Sequence, residues 1–392
     1  MQFFRKLNNY CLFILVFSVT YENWDPFKLV GVVSVTYMAS ALYVLSWVPL
    51  FKSNLDFGPF KNYIIPLLLY TIVCIFSTAL NSGYAESIFE TYSGRVVLLI
   101  LLMLLVANHL HSNTNLATTV LDIYVASVVL MYFLILSGTG TEFKNGRVLL
   151  FGENPNTIGV KAAIGFSIVL ARLLSSKISF KTLFFGAVTI FSFLNLVILS
   201  GSRGALISIF LVVLASIFYT KISLWKKVLF AISGAAFSIY FLIFILSSNA
   251  EFGSRILRTV ETGDTGRSEL WRAGVKIIED NLLFGVGIPG AYPEMFKHTG
   301  RATDVHNIFL YVLMTTGVVG FFFFFQFIFR MGKNLYASFR QNGNVVFLLI
   351  FILLLFNMAK TGGSISKILN WFFFAVLIGS TFVPKKAEAP QT

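Results

Sequence analysis

One histidine, His306, is the clearest candidate for proton-transfer chemistry in this chain. It lies two residues after Asp304, where a long polar stretch, residues 249–304, returns to hydrophobic sequence. The positive end of the helix predicted to follow disfavours an imidazolium, so a neutral ring able to accept a proton fits this position. The pattern predicts a general base, with a histidine that merely caps the helix as the alternative.

Two arginines stand where helices are predicted to begin. Arg203 lies in Gly201-Ser202-Arg203-Gly204 between two apolar runs, and Arg267 directly precedes a helical pattern that starts at Ser268. A cation beside the unpaired N–H groups of a helix N-terminus favours binding of an anion. The alternatives are an interfacial turn whose arginine reaches lipid headgroups and, within the polar stretch, an ordinary solvated surface.

A shorter polar loop before the sixth apolar run supplies further candidates. Arg147 and Glu153 place a cation and an acid there. Asn154-Pro155-Asn156 suits a helix start, because Asn can cap and Pro fits the first turn. Near the end of the long polar stretch, Arg301 adds another cation.

Apolar residues at roughly helical spacing follow Ser268 and predict an amphipathic helix lying on a membrane. They are Leu270, Trp271, Val275, Ile278 and Leu282. Gly285, Gly287 and Gly290 are expected to break this helix before Tyr292.

The composition excludes an ordinary soluble domain. The chain has 392 residues, of which 57% are hydrophobic and 12% charged, and its mean hydropathy is +0.81. These values are typical of a polytopic membrane protein. The net charge of +13 comes mostly from Lys and Arg in short loops, so topology explains it and nucleic acid is not predicted as a partner. Cys11 and Cys74 both lie in apolar runs, which supports neither a disulfide framework nor a metal site.

Apolar runs long enough to cross a bilayer recur along the chain, about twelve in all. The predicted fold is therefore all-α, with residues 1–392 as a single transmembrane domain and residues 249–304 as a large, partly helical loop within it. The predicted spans are 7–22, 28–51, 62–81, 95–110, 115–137, 157–174, 181–200, 203–220, 226–248, 305–329, 343–359 and 368–384.

Positive residues concentrate in alternate loops, which predicts that those loops and both termini are cytoplasmic. The remaining loops, including the long one, then face outward. Four cations outside the long loop break the rule on the outward side, and binding of an anionic substrate at the membrane surface is one reason to keep them there. They are Arg147, Arg203, Lys360 and Lys367.

Five short motifs, taken in order, resemble the O-antigen ligase/polymerase superfamily, and the match covers about the second half of the chain. They are Ser200-Gly201-Ser202-Arg203-Gly204, Gly266-Arg267-Ser268-Glu269-Leu270-Trp271, Leu283-Phe284-Gly285-Val286-Gly287, His306-Asn307-Ile308-Phe309-Leu310 and Thr316-Gly317-Val318-Val319-Gly320.

The resemblance implies a membrane glycosyltransferase of surface-polysaccharide synthesis, acting at the outer face of the bacterial inner membrane. Its donor and acceptor would be glycans carried on undecaprenyl diphosphate, and membrane lipids and a chain-length regulator are further partners that it allows. Arg203 and Arg267 would clamp the diphosphate leaving group, and His306 would be the general base. No metal motif occurs, so neither a metal nor another cofactor is expected.

Substrate-binding residues predicted on the same basis are Arg147, Glu153, Asn156, Arg301 and Asp304. The two arginines would extend the anion cluster, while Glu153 and Asp304 would orient the acceptor or His306.

The shared motifs do not separate a polymerase, which joins repeat units, from a ligase, which passes polymer to lipid A core. We favour a polymerase because nothing in the sequence marks a lipid A core site. A secondary transporter or a flippase for a lipid-linked glycan is the more distant alternative. Such proteins place charges near the bilayer midplane, whereas here they gather at helix ends, with Lys161 about one turn into its span.

Overall fold

The computed structural model is helical apart from one hairpin, and it describes residues 1–27, 34–113, 115–175, 179–219, 267–360 and 365–381, with isolated positions between 220 and 266. Its longer helices are α1 (Gln2–Ser18), α2 (Val35–Trp47), α3 (Lys61–Leu80), α4 (Gly94–Ser112), α5 (Asn115–Leu136), α6 (Pro155–Ser175), α7 (Phe180–Ser200), α8 (Arg203–Tyr219), α9 (Ser268–Asp280), α10 (Gly287–Thr299), α11 (Ile308–Asn342), α12 (Val346–Lys360) and α13 (Ile368–Ser380). Strands β1 (Thr141–Lys144) and β2 (Arg147–Leu150) lie between α5 and α6.

Length and composition confirm a helical membrane protein. Within the described ranges, six helices are long and apolar enough to cross a membrane, namely α3, α4, α5, α6, α7 and α11, and α2, α8, α12 and α13 are shorter apolar helices. The count of about twelve spans stays a prediction. The predicted span 226–248 and residues 249–266 of the long loop lie outside the described residues.

Two helices form the centre of the bundle. Every residue of α13 except Asn370 is buried, and α6 is buried over most of its length. Peripheral helices instead turn large apolar side chains outward, as Phe180 and Phe185 of α7 show. Lipid tails are as apolar as a protein core, so an outward aromatic surface is compatible with a bilayer.

Helix α11 is longer than the predicted span 305–329, because it continues to Asn342. Met331, Leu335 and Phe339 are buried at intervals of four residues, so one stripe still packs against the protein after the span has ended. This helical continuation was not predicted, because charged residues lie on the other face of the segment. The end of the membrane span at residue 329 stays a prediction.

Helix α11 is also broken, and the break is filled by another part of the chain. Gly317 has φ 62° and ψ −169°, which interrupts the helical hydrogen bonds. The backbone of residues 282–286 replaces them, since Val286 N donates to Met314 O at 3.0 Å and Val318 N donates to Leu282 O at 2.9 Å. Non-helical backbone inside a membrane protein is tolerated where such partners satisfy it. Two of the five sequence motifs thus meet at this break.

The helix predicted from Ser268 is present as α9, but its buried face differs from the predicted one. Leu270 is buried as expected, whereas Val275 is 43% exposed. The buried face also includes the small residues Ala273 and Gly274, and a Cβ atom at Gly274 would lie 2.9 Å from Cγ2 of Val305, which precedes α11. Close packing requires small residues such as Ala and Gly at these positions. A pattern based on large apolar residues does not detect them.

The expected glycine break before Tyr292 occurs only in part. Helix α9 ends at Asp280, but Gly290 lies inside α10. A Cβ atom there would stand 2.9 Å from the Tyr84 ring. Gly290 therefore permits a close contact and does not end a helix.

The β-hairpin was not predicted. Asn145 and Gly146 both have positive φ, of 51° and 63°, between the paired residues Lys144 and Arg147. Asn-Gly is the preferred sequence for a two-residue hairpin turn of this kind. The Asn145-Gly146 dipeptide was therefore the sequence feature that could have predicted the hairpin.

Candidate active site

The residues singled out from the sequence converge at one end of the helix bundle, here called the site end. Arg203 begins α8, Arg267 precedes α9, and His306 precedes α11. The opposite end, called the far end, carries the start of α1 and the end of α4. Short loops at the site end position most of the candidate side chains.

His306 is held by Asp304 through two hydrogen bonds. Asp304 Oδ1 accepts from the His306 backbone N at 2.7 Å and lies 2.6 Å from His306 Nδ1. A carboxylate in this position favours the ring tautomer with hydrogen on Nδ1. Nε2 then remains as an acceptor, and it has no hydrogen-bond partner among the described residues. The ring is 39% exposed, so a substrate can reach it.

His306 does not cap the helix, so the capping alternative is wrong. Asn307 fills that role, because its side chain accepts hydrogen bonds from the N–H groups of Phe309 and Leu310. The imidazole is thereby left available for chemistry.

Asp304 remains a carboxylate although it is largely buried. Burial raises its pKa, but hydrogen bonds and charge from His306, together with the charge of Lys367, lower it below the ordinary value. The same carboxylate raises the pKa of Tyr292, which burial raises more strongly. Lys367 and Tyr292 therefore lie within electrostatic range of Asp304.

The two arginines predicted to bind an anion lie close enough to repel one another. Burial lowers the pKa of Arg267, and the charge of Arg203 lowers it further, while Asp304 raises it. Arg267 also donates from Nη1 to the backbone carbonyl of Lys360, which ties it to the end of α12. Two partly buried guanidinium groups that repel each other favour an anion between them.

Arg147 and Asn156 form a neighbouring pair. Arg147 donates from Nε to Ser200 O at 2.8 Å and from Nη2 to Asn156 Oδ1 at 2.7 Å. A small cavity lies between Asn156 and Lys367. Arg147 is thus joined to the loop that precedes Arg203, and Asn156 faces the cation beside Asp304.

Glu153 lies in a buried ion pair beneath this cluster. Its Oε2 is 2.6 Å from Lys161 Nζ, and its Oε1 accepts from Asn23 at 3.1 Å. Lys161, the seventh residue of α6 and deeper than predicted, is fully buried and also donates to Thr20 O at 3.0 Å. The role of Glu153 as a substrate ligand stays a prediction, because a substrate would have to displace these partners.

Glu22 is a second buried carboxylate beside Lys161. It accepts from Ile368 N at 3.0 Å, which fixes the start of α13. Lys161, Glu153 and Lys367 all act electrostatically on it. The charge of Lys367 acts on Asp304 as well, so it influences both this buried network and the Asp304–His306 pair.

Arg301 lies apart from the cluster. It is exposed, and among the described residues no side-chain hydrogen bond or ion pair joins it to the other candidates. Its backbone N donates to Thr299 Oγ1 at 3.3 Å, which stabilises the turn after α10. Its assignment to substrate binding stays a prediction.

Sequence reasoning missed Glu22, Arg95 and Tyr292 as residues of the site, and it named Lys367 only as a cation for an anionic substrate, without its approach to Asp304. Arg95 lies over the Tyr37 ring at 5.6 Å and acts electrostatically on Tyr292. Lys367 was singled out because the predicted topology disfavours positive charge at its position. Arg95 shares that property at the start of α4.

The helical bundle and its charged end define the chain as a membrane protein with a polar site at the ends of its helices. Residues 185–325 match the family model described as O-antigen ligase, which confirms the resemblance seen in the sequence motifs. The matched segment includes Arg203, Arg267, Asp304 and His306. Members of this family are glycosyltransferase-like enzymes of the ligase or polymerase kind. No curated protein matches the chain significantly.

Proposed function

We propose that the protein is a membrane glycosyltransferase that polymerises undecaprenyl-diphosphate-linked repeat units into O-antigen or a related surface polysaccharide. One observation carries the proposal. Within the segment that matches the O-antigen ligase family, an oriented imidazole and two mutually repelling guanidinium groups gather at the same helix ends. This arrangement pairs a proton acceptor with a site for a diphosphate.

The reaction uses these groups in a single displacement. The acceptor hydroxyl attacks the sugar C1 of the donor, the new C1–O bond forms, and the bond from C1 to the diphosphate oxygen breaks. His306 Nε2 takes the hydroxyl proton. The leaving diphosphate keeps the bonding electron pair, and Arg203 and Arg267 offset its negative charge.

Asp304, Arg147 and Asn156 support this chemistry from neighbouring positions. Asp304 orients the imidazole and stabilises its protonated form. Arg147 and Asn156 extend the polar surface towards Lys367, where further phosphate or sugar oxygens can bind.

The proposed location is the outer face of the bacterial inner membrane, with both termini in the cytoplasm. Two arguments support it. The far end carries Lys and Arg residues typical of cytoplasmic loops, and glycan transfer from a lipid carrier requires a site open to the membrane surface. The 39% exposure of the His306 side chain beside the first turn of α11 supports an accessible site.

His306→Ala tests the base. We expect it to lower the rate of chain extension by about 10² to 10⁴-fold, the usual contribution of a general base. Product length and rate are measured with purified protein and a lipid-linked oligosaccharide. His298→Ala is the matched control, because His298 is exposed at the end of α10. Equal rates for the two variants would exclude His306 as the base.

Arg203→Lys and Arg267→Lys test the diphosphate clamp in the same assay. Lys keeps the charge but loses the planar fork that binds two phosphate oxygens. We expect a reduced rate in both variants, and unchanged donor binding and turnover would contradict the clamp.

A ligase is the second candidate function, and the description of the matched family as O-antigen ligase favours it. The two reactions differ in acceptor. A ladder of products from the lipid-linked oligosaccharide alone supports the polymerase, whereas product formation only after addition of lipid A core supports the ligase.

A further inference from the structure

A polar cavity of about 670 Å³ opens at the far end of the bundle, away from the candidate active site. Its walls come from the first turns of α1, from residues 47–56 and from the end of α4. This volume lies in the range of pockets that bind small molecules or lipid headgroups. The glycosyl-transfer proposal leaves this cavity without a role.

The charge of the cavity is positive. Arg5, Lys6 and Lys52 line it against one carboxylate, Asp56, so three positive charges and one negative charge leave +2. Asp56 Oδ1 accepts from Gly58 N at 2.8 Å, which turns the carboxylate onto its own loop. The cavity therefore attracts an anion.

A buried histidine fixes a hydrogen-bond donor at the cavity wall. His109 Nδ1 lies 3.2 Å from the Tyr43 hydroxyl, and Nε2 lies 2.8 Å from Asn9 Oδ1. The Tyr43 hydroxyl also lies 3.3 Å from Leu105 O, so its one hydrogen is shared between that carbonyl and Nδ1, and the Nε2–H donates to Asn9 Oδ1. The Asn9 amide then keeps its N–H groups for a ligand, since Asn9 has no other hydrogen bond among the described residues.

Exposed apolar side chains adjoin the cavity-lining residues in the chain. Phe3 is 70% exposed beside Gln2, and Val48 is 60% exposed beside Trp47. A soluble anion would gain nothing from these side chains, whereas acyl chains would cover them. Exposed apolar side chains on the same segments that line a basic cavity favour an amphiphilic ligand.

We propose that this cavity binds the headgroup of an anionic phospholipid. The phosphate contacts Arg5, Lys52 and the Asn9 amide, and the acyl chains lie along Phe3 and Val48. Basic pockets between membrane helices bind such headgroups by charge and hydrogen bonding. The proposal does not depend on the glycosyl-transfer function.

The test measures lipid retention by the full-length protein after transfer from vesicles of phosphatidylcholine with or without phosphatidylglycerol. Native mass spectrometry counts bound lipid. We expect retention of phosphatidylglycerol by the wild type, and an affinity about tenfold weaker in Arg5→Gln/Lys52→Gln. Lys333→Gln/Arg340→Gln removes the same charge from α11 outside the cavity and should retain the lipid.

Asn9→Asp provides an independent variant that keeps an oxygen for the His109 Nε2–H. The added negative charge should repel the phosphate and reduce retention in the same way. Equal retention by the cavity variants and the control would overturn the proposal. Displacement of the lipid by inorganic phosphate alone would also overturn it, because it would show a site for a free anion.

Discussion

His306 has a backbone conformation that few side chains adopt. Its φ of 52° is left-handed, and such a position costs a non-glycine residue on the order of 1–2 kcal/mol. Asp304 offsets this cost, because one oxygen accepts from both the backbone N and Nδ1 of the same histidine. Ring direction and backbone conformation are therefore fixed together, as a catalytic base requires.

Asp304→Asn keeps the shape of the side chain and removes its negative charge, so it tests the contribution of the charge. An amide is a weaker acceptor and stabilises a protonated imidazole less well, so we expect the transfer rate to fall by about 10²-fold or more. Asp280→Asn, at the exposed end of α9, is the control and should leave the rate unchanged. Rates are compared with purified proteins, and a wild-type rate for Asp304→Asn would contradict the assigned role.

The same pair makes stability depend on pH with a defined sign. The pKa of Asp304 is lowered in the folded protein, so its stabilisation is complete above the ordinary carboxyl pKa and is lost as pH falls through the lowered value. The unfolding temperature of the wild type should therefore approach that of Asp304→Asn as the pH falls through the acidic range. A constant difference between them would contradict this assignment.

At the scale of elements, the break in α11 positions both halves of the site. Residues 282–286 connect α9 to α10 and bond to the backbone on either side of Gly317. The segment between Arg267 and His306 is thereby attached to the helix that His306 precedes. A loop attached only by side chains would hold these groups less firmly.

Gly317→Ala should disrupt this junction. A Cβ atom there would lie 2.2 Å from the carbonyl C and O atoms of Leu283, so backbone must move. We expect destabilisation of about 3 kcal/mol or more, together with loss of activity. Gly300→Ala is the control, because it shares a positive φ but has open space, and should cost only about 1 kcal/mol. Unfolding of both variants in detergent measures the difference, and equal effects would show that backbone conformation alone matters.

Residue type and local capping made much of the site predictable from sequence. Asn154-Pro155 and Arg203 do begin helices, and Asp304 and His306 do lie together. The approach of Lys367 to Asp304, and that of Glu22 to Lys161, was not predictable, because it depends on how distant helices pack. The buried face of α9 was missed for the same reason. Gly274 has no side chain to mark it as apolar, yet it allows a close contact between segments.

At the scale of the whole molecule, a buried charge network joins distant parts of the chain. Lys161 of α6 contacts Glu153 and the Thr20 carbonyl, and Glu22 holds the start of α13. Removing one partner from such a pair leaves a buried charge uncompensated. The Lys161 ammonium group therefore links α6 to the turn after α1, and its charge also acts on the carboxylate that holds the start of α13.

Lys161→Met should destabilise the protein by about 3–5 kcal/mol, because two buried carboxylates lose their counter-charge. Arg172→Met is a matched control on the same helix, since the Arg172–Asp122 pair is partly exposed and should contribute less than about 1 kcal/mol. Chemical unfolding of both variants in detergent compares them. Similar losses of unfolding free energy in the two variants would show that the buried pair contributes no more to stability than the exposed pair.

The junction at Gly317 depends on backbone hydrogen bonds, so the side chains of the bonded residues are free to vary. Leu282 and Leu283 hold α11 through their carbonyl groups, while their side chains are 53% and 60% exposed. Those side chains can be exchanged without breaking the hydrogen bonds beneath them. Under the proposed function, evolution or protein engineering can change these two side chains to suit a new sugar, while the reacting groups keep their positions.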